Sequence, residues 1–166
     1  MKTAKKTGIV VLLSIAFLGT LWMSKPRQVL AEGPYRHLKL IVQAASNLKV
    51  NEVEWMSGST AYPTVNMTGE YTGSLHAYGT DTLEAWKCFD GGTNESDGDW
   101  VGAATPHEIV IDLGSGAAIE PSAIKIYKPT WGLLTSLKCQ GSNDGSTWTT
   151  LYENTNTGDT GSSLLQ

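Results

Sequence analysis

After Ala31 the chain runs as short stretches of alternating apolar and polar residues, each cut off by a cluster of Gly, Ser, Thr, Asn or Asp. A repeat of two sends successive side chains to opposite faces of a strand, whereas a helix needs apolar residues every three or four positions over ten or more. The pattern therefore predicts an all-β fold, an antiparallel β-sandwich, and 166 residues supply one such core and not two. Leu38–Val42 and Leu48–Trp55 read as the first strands, the second with Leu48, Val50 and Val53 facing inward. Trp86–Phe89, Glu108–Leu113 and Ile124–Tyr127 follow as strands. Leu137–Cys139 and Trp148–Tyr152 form a hairpin across Asn143-Asp144-Gly145, a strong turn signal. Ser57–Thr82, rich in Gly, Ser, Thr and Tyr, reads as long surface loops with at most a short strand. The tail ends at Leu164-Leu165-Gln166 without a closing strand, which leaves the sandwich open there.

The first 31 residues are of another kind. Lys2, Lys5 and Lys6 precede the apolar stretch Gly8–Met23, the arrangement of a secretory signal peptide, with cleavage expected after Ala31. The competing reading is an uncleaved anchor, because the uncharged stretch from Thr7 to Ser24 reaches the lower limit for a membrane-spanning helix. Either way the domain, residues 32–166, is expected to be secreted or held at the cell surface, with membrane contact only through that segment. Without residues 1–31 the chain keeps 7 basic against 16 acidic residues, a formal charge of -9. Such a surface repels phosphate backbones, so nucleic acid is not an expected partner.

Three segments in order, Ala85–Trp100 (AWKCFDGGTNESDGDW), Ile109–Gly114 (IVIDLG) and Leu137–Leu151 (LKCQGSNDGSTWTTL), resemble the F5/8 type C (discoidin-like) family. A fourth, Tyr35–Trp55, is similar to the region that usually closes such a domain and here comes first, as a circular permutation would place it. Asp90 and Trp100 stand farther apart than the family's motif has them. The resemblance implies a galactose-binding-like jelly roll and a non-catalytic extracellular module that binds a glycan or glycoprotein surface through loops at one end. The alternative is a structural or adhesive protein-protein domain of a larger extracellular or virion-associated assembly. It also implies a structural calcium ion held by Asp90 and Glu52, with Thr93 as a further candidate.

The residues themselves support part of this. Phe89-Asp90-Gly91-Gly92 sets one carboxylate where glycines let backbone carbonyls converge, the oxygen-rich mixture calcium takes; an Asp there also caps its own turn. Trp86, Trp100 and Trp148 occupy strand or motif positions and are expected in the core. Trp131, in Lys128-Pro129-Thr130-Trp131-Gly132, lies in a loop between strands and is the expected stacking platform for a sugar ring. Tyr62, Tyr78 and His76, in the long early loop with Tyr71, are its expected neighbours. For each of these aromatics taken singly, the commoner role of a loop aromatic is to fold back over the core. Cys88 and Cys139 are read as two separate buried thiols, and His107 as a solvated start to its strand. Asn66-Met67-Thr68 and Asn94-Glu95-Ser96 fit the N-glycosylation pattern. No H-E-x-x-H, G-x-S-x-G or phosphate loop occurs, and Ile119 replaces the third glycine of a dinucleotide fingerprint begun by Gly114 and Gly116. An enzyme would need a catalytic domain that these residues do not contain.

Overall fold

The computed structural model describes residues 33–44, 48–80, 84–93, 100–102, 106–127, 134–155 and 163–165. The expected signal segment 1–31, Trp131 and the sequon residue Asn94 lie outside them. Among the described residues the strands are β1 (His37–Ala44), β2 (Leu48–Val50), β3 (Glu52–Ser57), β4 (Thr60–Tyr62), β5 (Tyr71–Thr72), β6 (Leu75–Gly79), β7 (Trp100–Gly102), β8 (His107–Asp112), β9 (Ala123–Tyr127), β10 (Leu134–Ser142), β11 (Thr149–Asn154) and β12 (Ser163–Leu165). A single 3-10 helix covers Ala85–Phe89. One sheet has the order β11-β10-β1-β8-β6-β5 and a second the order β12-β9-β3-β4, while β2 and β7 make a separate ribbon. All the strand pairs are antiparallel.

Alternation assigns the faces. Leu38, Leu40 and Val42 of β1 bury together with Ile109 and Ile111 of β8 and Leu137 and Cys139 of β10. Val53 and Trp55 of β3 and Ile124 and Ile126 of β9 join them from the other sheet in one cluster. Each such side chain contributes about 1.5–3 kcal/mol of burial, so the inward rows of two sheets carry the fold. The Tyr35 ring closes one end by lying against Gly141, where a Cβ would overlap its ring carbons.

Several expectations are corrected by this packing. Leu48–Trp55 is two strands, because Val50 and Val53 are both fully buried and their odd spacing requires a break, which falls at Asn51. Trp86–Phe89 belongs to the 3-10 helix: Ala85, Cys88 and Phe89 bury at helical spacing, and the Lys87 N–H donates to the Glu84 carbonyl at 2.9 Å. Ser57–Thr82, read as loops with at most one short strand, contains three, β4, β5 and β6. The tail does supply a closing strand, since β12 pairs with β9, Leu165 opposite Ile124. His107, only 1% exposed, lies on the inner face with Ile109 instead of in solvent. Trp148 is not in the core; it lies over the Lys39 ammonium, 4.1 Å from ring centroid to Nζ. Cys88 and Cys139 are buried and form no disulfide, the Cys88 thiol meets the Val50 carbonyl at 3.6 Å, and burial pushes the Cys139 thiol up to about 12.

Candidate functional site

At one end of the sandwich the 3-10 helix stops at Asp90, whose Oδ1 accepts the Gly92 N–H at 2.8 Å and so caps its own turn. Gly91 has φ +82, in the left-handed region that favours glycine, and this turns its N–H onto Glu52 Oε2 at 2.9 Å. The Asn66 side chain covers Gly91 so closely that a Cβ would collide with it. The Met67 N–H donates to the Phe89 carbonyl at 2.8 Å, tying the β4–β5 connection to the same turn. Glu52, the first residue of β3, is 6% exposed. Burial pushes its carboxyl up to about 8; the Gly91 N–H opposes this, and the charges of Asp90 and Glu54 add to it.

The three residues expected to hold an ion thus gather around one turn. Glu52 is tied to Gly91, beside Asp90, while the Thr93 carbonyl accepts the Asn51 amide at 3.5 Å. Asn51 is the member the sequence reading missed. It is 1% exposed, and its Oδ1 has no hydrogen-bond partner among the described residues. A polar residue between Val50 and Val53, where alternation fails, was the available signal. Two carboxylates, a buried amide oxygen and a carbonyl suit a hard cation of the calcium type. The described residues hold no cluster of three or more His, Cys, Asp and Glu side chains able to bind a metal, so the set leans on uncharged oxygens.

Of the expected sugar-contacting residues, the three that are described, Tyr62, His76 and Tyr78, do not form one group. Tyr62 ends β4 opposite Trp55, on the inner face, and packs against the core. His76 and Tyr78 lie on β6 and face outward from the six-stranded sheet, with ring centroids 4.9 Å apart. Tyr71 of β5 stacks on His76 at 4.1 Å with 8° between planes, and His76 Nε2 meets Glu70 Oε1 at 3.1 Å. Burial raises the Tyr78 phenol, helped by the charges of Asp112 and Glu108.

His76 begins a cross-strand row that continues through Asp112 of β8, His37 of β1 and Ser142 of β10. Arg36 clamps Asp112 through two bonds of 2.6 Å. Burial alone would raise that carboxyl, but Arg36 and the Gly114 N–H more than reverse the effect and hold it below the usual range. Ser, His and Asp in one row are the residue types of a hydrolytic triad, yet the geometry is not one. Ser142 is 1% exposed and donates its hydroxyl to Asp144, and His37 Nδ1 is 3.9 Å from Asp112, beyond hydrogen-bond range.

Residues 87–165 match the model of an F5/8 type C family described as the NedA-like, galactose-binding domain. No curated protein and no solved structure matches the chain. β1 and β3, each flanked on both sides within its sheet, precede the matched segment. The family points to a carbohydrate-binding module, and its domains are in general non-catalytic. Two antiparallel sheets around one core, with this match across the later strands, make the fold a galactose-binding-like β-sandwich, and residues 87–165 are similar to the discoidin-like domains of the F5/8 type C family.

Proposed function

We propose that the protein is an exported, non-catalytic module that binds a glycan or glycosylated surface through the loops at the Glu52 end of the sandwich. Trp131 is its stacking platform, and calcium, held by Glu52 and Asp90 with the uncharged oxygens of Asn51 and Thr93, braces the site. The observation that supports this reading is the buried Glu52 carboxyl tied to the Gly91 turn beside Asp90. The connection bearing Trp131 leaves β9 at Tyr127, and Tyr127 pairs with Glu52 and accepts the Asn51 N–H at 2.8 Å. A buried carboxyl beside a second acid and an unsatisfied amide oxygen is costly without a cation. Bound there, calcium would supply the missing positive charge and cross-link the Asp90 turn to β3.

Two measurements test the reading. Chelation is expected to lower the melting temperature, and Asp90→Ala to remove the difference between calcium-loaded and chelated protein. An equal response of both proteins to calcium would sink the ion site. On a glycan array Trp131→Ala is expected to lose most of its signal while melting like the parent. An intact protein that binds no glycan leaves the structural or adhesive role as the better reading, and an intact-mass measurement of exported protein checks cleavage after Ala31.

A further inference from the structure

We propose that the β5–β6 hairpin is a second ligand site, which takes an uncharged sugar ring on the open side of Tyr71 with Glu70 accepting its hydroxyls. The proposal rests on the carbohydrate-binding reading for its ligand class alone; its residues and its end of the molecule are different. His76 shares a row with His37, at the start of β1, whereas Leu134, where the Trp131 connection rejoins the sheet, pairs with Ala44 at the finish. Eight residues of strand at about 3.3 Å each separate those positions by roughly 23 Å.

Tyr71 is 67% exposed, one of two large apolar side chains so exposed among the described residues, and it sits on a two-residue edge strand that gains little core contact. It is nevertheless backed by neighbours. Its ring stacks on His76, His76 is fixed by Glu70 and leans on Tyr78, and the Ala77 N–H donates to the Glu70 carbonyl at 3.0 Å. A ring so supported offers contact area with little rotamer entropy left to lose. The hydroxyl-bearing rim of a sugar needs acceptors beside such a ring, and the Glu70 carboxylate, 44% exposed, is one.

The charges select the ligand. The basic side chains nearest in the pairing pattern are held by acids: Arg36 by Asp112, Lys39 by Glu108 and His76 by Glu70. A sialylated, sulfated or uronic acid ligand would meet the Glu70 carboxylate beside Tyr71 and be repelled by it. A protein partner fits poorly, because one tyrosine between Glu70 and Thr72 is far short of the roughly 800 Å² per partner of a stable interface.

The experiment is an NMR titration of the full domain with methyl glycosides of neutral hexoses and N-acetylhexosamines, and with sialyllactose, following the ring signals of Tyr71 and His76. Neutral glycosides are expected to shift those signals, Tyr71→Ala to weaken that binding about tenfold or more, and Tyr71→Phe to retain it. Trp131→Ala should leave the hairpin response intact. Ring signals that move with no neutral glycoside, or equally with sialyllactose, overturn the proposal. So does their loss in Trp131→Ala, which would mean one site at the loop end. Persistence of the hairpin response with an unchanged array profile for Trp131→Ala would instead overturn the loop-end site and leave this one standing.

Discussion

Gly91 shows how much one residue can hold. Its positive φ aims an N–H at Glu52, and its missing Cβ makes room for Asn66. Gly91→Ala is therefore expected to cost about 1–2 kcal/mol for the left-handed backbone alone, and more for displacing Asn66. The check is a denaturant melt with and without calcium, in which Asn66→Ala in the same background recovers part of the loss. Asp112 contributes in a different way. Its folded-state pKa lies below the ordinary 3.8, so its stabilisation is present above that value and is lost as the pH falls through the folded value. Asp112→Asn should melt several degrees lower at neutral pH and converge on the parent in acid. Parallel curves across the whole pH range would show that the Arg36 clamp is not responsible.

At the scale of elements, the hairpin β10–β11 was legible because Asn143-Asp144-Gly145 is local chemistry. Asp144 Oδ1 accepts the N–H groups of Ser146 and Thr147 at 2.8 and 2.7 Å, and these bonds hold its carboxyl far below the usual range. Asp144→Ala is expected to speed amide exchange at Ser146 and Thr147 while leaving β1 and β8 protected. The rows of β1 and β8 were legible too, since each has a wet and a dry face. What sequence could not resolve depends on distant partners. Trp86–Phe89 is apolar enough for a strand, and only the two sheets beside it decide that Ala85, Cys88 and Phe89 bury as one turn of helix. Trp148 looked like core and became a cover, because Lys39, more than a hundred positions earlier, supplies a cation beneath its ring. Glu52 and Asp90 could be named as a pair, but Asn51 acquires its meaning only from Tyr127 and Thr93 across the turn.

For the whole molecule the sheet order matters most. The segment from Lys87 onward matches a family model, yet β8 and β10 are joined only through β1, and β9 reaches β4 only through β3. Residues 87–166 expressed alone should consequently show no cooperative thermal transition, and a separately made 33–86 fragment should restore one on mixing. A cooperative melt of the shorter piece would refute the idea that both central strands are indispensable.

That central place of β1 also sets an order in time. β1 is made before β8 and β10, and Leu38 can pair with Gly141 only after more than a hundred further residues exist. It can pair with β8 once Asp112 exists, but its second ladder waits until nearly the whole chain has been synthesised. Long-range pairing of this kind carries a large loop-closure cost before any contact repays it, and chains dominated by it fold in milliseconds to seconds. A nascent β1 is thus an apolar strand waiting in the open, and a factor that shields extended apolar segments during synthesis would raise the yield of this protein more than one that acts on the finished chain.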